Sequence, residues 1–176
     1  MSNCIFTQTH RKPLSLTTGI VLALALSACT STEATSPVSA IDHHCITQAQ
    51  KMSEHAEYSQ SPAQHLGAAN AMQHCIANPL PAHLSDKDHE QIMQVMAISV
   101  LSYLKAGDMD GAAAQLRRFD TQFPGQDLYL PDFTSFRDTA TALLAGASLQ
   151  PQILASLNIS RGLRLEIERQ QYWLTH

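Results

Sequence analysis

Residues 92–123 read IMQVMAISVLSYLKAGDMDGAAAQLRRFDTQF, and this stretch determines the fold class of the chain. Apolar residues recur three or four positions apart in both of its halves, which is the spacing of an amphipathic helix. Gly107 and Asp108 separate the halves; a glycine commonly ends one helix and an aspartate commonly caps the next. The stretch therefore predicts an antiparallel helical hairpin. Its two apolar faces are Ile92, Val95, Met96, Ser99, Val100, Tyr103 and Leu104, then Ala112, Leu116, Phe119 and Phe123.

The sequence on both sides of this hairpin predicts further helices. Before it, Asp42 is predicted to cap a first helix that runs to about Tyr58. A second helix is predicted over 62–77, with Pro62 in its first turn. A capping box at Ser85 and Asp88 starts the third helix. The first and second helices form one hairpin, and the third and fourth helices form the next.

After the second hairpin, Asp132 is predicted to start a fifth helix, and shorter helices are predicted over 149–157 and 160–174. In the last segment Leu163, Leu165 and Ile167 alternate with polar residues as in a strand. A helix is preferred because no other segment is predicted to be a strand that could pair with it. The chain is therefore predicted to be all-α. The aromatic residues assigned to its core are Tyr103, Phe119, Phe123, Phe133 and Phe136.

The N-terminal segment 1–28 predicts a secretory signal. Cationic residues at 10–12 precede an apolar run at 14–26 that is shorter than the roughly 20 residues of a membrane span. The four residues Leu26-Ser27-Ala28-Cys29 resemble the lipobox of bacterial lipoproteins. The resemblance implies that Cys29 is acylated and becomes the first residue of the mature chain. An ordinary cleaved signal with a chance cysteine is the alternative.

The lipoprotein resemblance also implies a location. Thr30 follows Cys29, and an aspartate at that position would indicate retention in the inner membrane, so the expected address is the periplasmic face of the outer membrane. Residues 29–41 are small and polar and predict a flexible tether, which leaves 42–176 as a helical periplasmic domain. The mature chain has a net charge of −6, with nine Lys and Arg against 15 Asp and Glu. A negative net charge argues against nucleic-acid binding, and it also opposes binding to anionic lipid head groups. The lipid on Cys29 is therefore expected to be the contact with the membrane.

Two cysteines remain once Cys4 leaves with the signal and Cys29 carries the lipid. Cys45 and Cys75 each lie fifteen residues from Gln60, the turn of the first hairpin. At about 1.5 Å per residue, both then stand at the same height on antiparallel helices. In an oxidising compartment the spacing predicts a Cys45–Cys75 disulfide.

Histidines of the same hairpin suggest an alternative, a periplasmic metal site. His55 and His65 are symmetric about the turn, and imidazole and thiolate are zinc ligands. However, adjacent His43, His44 and Cys45 point in different directions on a helix, and no zinc-binding spacing is present. The hypothesis requires His55 and His65 to face each other across the hairpin. No metal or other cofactor is expected in the preferred interpretation.

The stretch from Tyr103 to Phe119, followed by Pro124, resembles a tetratricopeptide repeat. On that family's pattern Tyr103 is the first-helix aromatic, Ala112 the small residue of the second helix, Leu116 its large neighbour and Pro124 the closing proline. The sequence departs from the pattern, because the first-helix tryptophan is missing, a bulky Phe119 stands where a small residue is usual, and the two hairpins repeat after 45 rather than 34 residues. The resemblance implies stacked hairpins; an irregular α-bundle explains the same residues.

No catalytic set is found in the sequence, such as a nucleophile elbow or a phosphate-binding loop. The chain is therefore not expected to be an enzyme. It is expected to be an adaptor that binds a protein partner, and a more specific hypothesis is a pilotin-like chaperone or an assembly factor. The terminal aromatics Tyr172 and Trp173 either dock onto the domain, which is preferred, or anchor that partner.

Overall fold

The computed structural model describes residues 40–176, so the signal segment, Cys29 and most of the tether lie outside the described residues. This part of the chain contains α1 His43–Ser59, α2 Pro62–His74, α3 Asp86–Ala106, α4 Met109–Gln122, α5 Phe136–Ala145, α6 Pro151–Ser156 and α7 Arg161–Thr175. Its only β pairing consists of two isolated bridges. The all-α prediction is confirmed. Within these residues, no helix has both the length and the apolarity of a membrane span.

Helix α3 is the centre of the domain. It packs against α2 on one side and α4 on the other, and α5 also contacts it. The face predicted from the sequence is buried except for Leu104, which is half-buried, and Met93, Ala97 and Ser102 beside it are buried as well. The predicted caps are present: the Ser85 side chain accepts a hydrogen bond from Asp88 N, and the Asp108 side chain accepts one from Gly111 N.

Polar contacts set the position of α3 along α2. The Ser99 hydroxyl, fully buried, donates to the Ala69 carbonyl at 3.1 Å, and the Tyr103 hydroxyl donates to Asn70 Oδ1 at 2.7 Å. Burial raises the pKa of Tyr103, and the nearby Asp108 carboxylate raises it further. The tyrosine therefore stays neutral and acts as a donor.

The first hairpin is held by small side chains and by a disulfide. Its buried faces are built largely from alanine, which lets the two helices approach closely. The predicted Cys45–Cys75 bridge is present, with the two Cα atoms 5.4 Å apart. The carboxylate of Asp42 accepts a hydrogen bond from Cys45 N at 3.0 Å and so caps α1 beside the bridge.

The chain before α1 belongs to the domain rather than to the tether. Ala40 and Ile41 are buried, and Ile41 pairs with Ile76 in an isolated bridge. Ala77 N donates to Ala40 O at 3.0 Å. This pairing explains why α2 ends at His74 instead of continuing to the predicted 77, and it adds Ala40 and Ile41 to the folded part of the chain.

A second, smaller core joins the C-terminal elements. Its buried members are Ala142, Leu149, Leu154, Ile159 and Ile167. Helix α7 begins after Ser160, whose hydroxyl accepts from Leu163 N, so the preference for a helix over a strand is confirmed. Helix α7 turns one face to this core and leaves the other exposed.

The predicted start of the fifth helix is wrong. Asp132 lies in the preceding loop, where its carboxylate accepts from Thr134 N and Oγ1, and the Ser135 hydroxyl instead caps α5 by accepting from Asp138 N. Phe133, assigned to the core from its sequence position, is 82% exposed. Asp132 is thus committed to its own turn and cannot cap a helix.

We expect the Cys45→Ser/Cys75→Ser double variant to lose about 3–4 kcal/mol of unfolding free energy, because the bridge closes a loop between residues 30 positions apart. Urea denaturation of the oxidised chain and of the variant measures the loss. The parent chain reduced with dithiothreitol is the matched control and should unfold like the variant. A loss below about 1 kcal/mol would mean that the alanine faces hold the hairpin without the bridge.

Candidate functional site

The 127–135 loop, the second part of the connection between α4 and α5, presents two aromatic rings to solvent. Helix α4 ends at Gln122, and Pro124 and Gly125 follow, with Gly125 at a φ of 72°. Tyr129 is 71% exposed and Phe133 is 82% exposed. The loop therefore leaves two large aromatic side chains largely uncovered.

The loop has the hydrogen-bond pattern of a tight hairpin. Tyr129 and Ser135 form an isolated antiparallel bridge, Leu130 N donates to Thr134 O at 2.9 Å, and Phe133 N donates to Leu130 O at 2.8 Å. In a hairpin loop of this kind the third turn residue adopts the left-handed conformation, and glycine usually occupies it. Here that residue is Phe133, with a φ of 62°.

A phenylalanine in this position costs stability. The left-handed conformation costs a residue with a Cβ roughly 1–2 kcal/mol, and the exposed ring gains little from packing in return. Strain of this kind persists only where the surroundings over-determine it, and it concentrates at functional positions. Phe133 is therefore the residue of this loop that folding alone does not explain.

Asp127 fastens both ends of the loop to each other. Its Oδ1 accepts from Leu128 N at 2.8 Å and from Arg137 N at 3.1 Å, and its Oδ2 accepts from the Ser135 hydroxyl. Phe136, the next residue, is fully buried and lies edge-on to the Phe119 ring, with centroids 5.1 Å apart. The base of the loop is thus anchored in the main core.

The connection between α6 and α7 holds the loop from the other side. Asn158 Nδ2 donates to the Phe133 carbonyl at 3.1 Å, and the Asn158 carbonyl accepts from Ser135 N at 2.8 Å. Asn158 N donates to Asp138 Oδ2 at 2.6 Å. One asparagine therefore fixes the peptide unit of Phe133, while the ring itself stays free.

Asp132, the residue before Phe133, adds a carboxylate to the loop. Hydrogen bonds from the Thr134 hydroxyl and backbone N–H hold the pKa of Asp132 below its ordinary 3.8. Because the pKa of Asp132 is lower in the folded chain than in the unfolded chain, its hydrogen bonds contribute stability above about pH 4. This contribution is lost as the pH falls through the lower pKa of the folded state. At neutral pH the loop presents an apolar ring next to a negative charge, an arrangement suited to an apolar pocket with a basic rim.

The metal-site residues are not brought together. His55 is exposed and lines a groove of about 520 Å³ on the outer side of the first hairpin, whereas His65 is buried at 3% exposure with no hydrogen-bond partner for its Nδ1. No cluster of three or more His, Cys, Asp or Glu side chains suited to a metal ion occurs within residues 40–176. The disulfide occupies both sulfur atoms of Cys45 and Cys75.

The terminal aromatics do not dock onto the domain, contrary to the preferred expectation. Tyr172 is 53% exposed and Trp173 is 66% exposed. Gln171 holds this end of α7 in place, since its Nε2 donates to the Leu149 carbonyl at 2.6 Å. Within the described residues, the Tyr172 ring contacts only the rings of Trp173 and His176 on its own chain end, with centroids 5.5 Å and 4.3 Å away, so both aromatic side chains stay more than half exposed.

The sequence does not predict the 127–135 loop, because Asp132 resembles a helix cap and so places Phe133 in the first turn of a helix. The signal present was Leu130-Pro131-Asp132, in which proline suits the second turn position and aspartate bonds to the backbone two residues on. That signal marks a turn, but it does not reveal that an aromatic residue takes the place of glycine.

We expect Phe133→Gly to raise the unfolding free energy by about 0.5–1 kcal/mol, because glycine adopts the left-handed conformation without strain and no packing is lost. Chemical denaturation measures this change. Tyr129→Gly is the matched control: it lies in the same loop at a negative φ, so its replacement should destabilise. Equal destabilisation by both variants would show that Phe133 is not strained.

No protein-family model, curated protein or solved structure matches this chain. The geometry of its own residues is therefore the basis for a functional conclusion.

Proposed function

We propose that the chain is an outer-membrane lipoprotein whose helical domain acts in the periplasm as a non-catalytic protein-interaction module. A pilotin-like or assembly-factor role is a narrower form of this function, drawn from the small size and helical class of the domain. The interaction role and the lipid anchor have separate support and separate tests.

Phe133 is the observation that carries the interaction role. Folding alone favours glycine at this backbone position, and the surrounding network from Asp127 and Asn158 holds the loop so that the ring stays exposed. A rigid exposed aromatic loses little conformational entropy when it is buried by a partner, and such residues dominate binding energies. The adjacent Asp132 carboxylate favours a partner pocket with a basic rim.

The lipid anchor is supported by the sequence Leu26-Ser27-Ala28-Cys29 and by the signal that precedes it. Several acyl chains on one cysteine hold a protein at a membrane firmly, since each buried methylene contributes about 0.8 kcal/mol. A module held at the membrane by a tether meets membrane-bound partners at a raised effective concentration.

We expect the full chain to incorporate labelled palmitate in bacterial cells and to fractionate with the outer membrane. Cys29→Ser should abolish both the label and the membrane association, whereas Cys4→Ser, in the segment removed with the signal, should change neither. Label that persists in Cys29→Ser, or fractionation with the inner membrane, would contradict the proposed anchor.

We expect a photoreactive phenylalanine at position 133 of the full chain to form one discrete covalent adduct in the native cell. Mass spectrometry then identifies the partner, and the purified pair gives the affinity. Phe133→Gly should weaken binding by about thirtyfold or more, the effect of removing an interface hot spot of about 2 kcal/mol.

Tyr58, which is 90% exposed on the first hairpin, is the matched position for the photoreactive group. The same adduct at both positions would show unspecific contact. Undiminished binding of Phe133→Gly would contradict the role of the ring, because that variant is expected to fold at least as well as the parent.

A further inference from the structure

Helix α7 leaves one complete face without a cover. Ile167 is buried at 2% and points to the second core, while the residues on the opposite side of the helix are exposed. Leu165, Glu168, Arg169 and Tyr172 follow one another at helical spacing on this outer face, and all four are exposed. The outer face of α7 therefore has an apolar residue at each end and two opposite charges between them.

The two charges differ in their existing contacts. Arg169 binds Glu166 on its own helix through Nε at 2.8 Å and Nη2 at 2.6 Å, which leaves Nη1 available. The Glu168 side chain has no hydrogen bond or ion pair with any other residue of the described part of the chain. The carboxylate of Glu168 and one edge of the Arg169 guanidinium are thus both open to a partner.

The outer face is complementary to itself. Two α7 helices placed side by side in the same direction, related by a two-fold axis along them, bring like positions together. Leu165 then meets Leu165 of the second copy, and Tyr172 meets Tyr172. Glu168 and Arg169 flank this seam on opposite sides, so Glu168 of each copy faces Arg169 of the other.

We infer that the outer face of α7 is the interface of a homodimer with parallel α7 helices. The two reciprocal Glu168–Arg169 pairs form its centre, and the leucines and tyrosines form its two ends. A lipid bilayer fits this face less well, because an ionised pair in the middle of the stripe opposes entry into hydrocarbon. The inference goes beyond the proposed function and does not depend on the identity of the Phe133 partner.

The area of this face predicts the strength of the dimer. Leu165 and Tyr172 of this face are 52% and 53% exposed. Trp173 borders the face, since its ring packs edge-on against Tyr172 with centroids 5.5 Å apart, and it is 66% exposed. Since tyrosine and tryptophan bury 150–250 Å² each when fully covered, the three offer roughly 300 Å² of apolar surface per copy. Two copies together therefore bury about 600 Å² of apolar surface, about half of the 1,200 Å² at the lower end of specific interfaces. The dimer should therefore be reversible and depend on concentration.

A charge swap tests the pairing. Sedimentation equilibrium of the full chain, in a non-ionic detergent matched in density to the solvent, should give a monomer–dimer equilibrium. Glu168→Arg alone and Arg169→Glu alone each place two like-charge contacts across the two-fold axis and should weaken the dimer about tenfold. The double variant Glu168→Arg/Arg169→Glu restores opposite charges and should return the dissociation constant to within about threefold of the parent value.

The double variant lacks the Glu166–Arg169 pair within the helix, as does Arg169→Glu alone. Recovery of the dimer in the double variant therefore reports the contact between copies and not the pair within the helix. Glu54→Arg, the same charge change at an exposed position of α1, is the control and should leave the dimer unchanged. The inference is overturned if the parent chain stays monomeric, if all variants associate equally, or if the double variant is as weak as the single ones.

Trp173, the single tryptophan of the chain, provides a second readout. Acrylamide quenching of its fluorescence should fall as the dimer forms and should follow the dissociation constants of the variants. Protection of Trp173 by phosphatidylcholine vesicles, at a concentration where the chain is monomeric, would assign the face to the membrane and overturn the dimer.

Discussion

The burial of α3 on two sides is the constraint on which the rest of the structure depends. A helix with apolar residues over more than one face cannot be covered by one neighbour, so α2 and α4 must both pack against it. The buried Ser99 hydroxyl, bonded to the Ala69 carbonyl, then sets the position of α2 along α3. Phe119 of α4 in turn gives Phe136 a surface on which to pack, and through it the base of α5.

The first hairpin satisfies this constraint with few large side chains. Alanines such as Ala56 and Ala68 allow α1 and α2 to lie close together, but each buries little apolar area. The Cys45–Cys75 bridge compensates by lowering the conformational entropy of the unfolded chain. Its formation requires the oxidising compartment that an exported protein reaches. The stability of the hairpin and the export predicted from the signal are consistent with each other.

The domain combines a well-packed interior with two exposed aromatic surfaces, the 127–135 loop and the outer face of α7. Asn158 connects them structurally, since it bonds to the Phe133 carbonyl and lies just before α7. The two surfaces differ in chemistry. Phe133, in a loop that carries the Asp132 carboxylate, suits a protein partner other than this chain. The outer face of α7, with opposite charges between apolar ends, is complementary to a second copy of the chain.

The all-α class, the helix caps at Asp42, Ser85, Asp108 and the Cys45–Cys75 pairing were determined by the sequence alone. These features depend on spacing along one helix or across one short turn, and such spacing can be counted from residue types.

The tertiary structure alone decided the features that depend on distant neighbours. Phe133 is exposed because Asp132 and Ser135 bond within the loop and Asn158, 25 positions later, holds its peptide unit. Tyr172 is exposed because the second core is small and meets only the side of α7 that carries Ile167. Apolar character shows that a residue can be buried, but only the packed neighbours determine whether anything covers it.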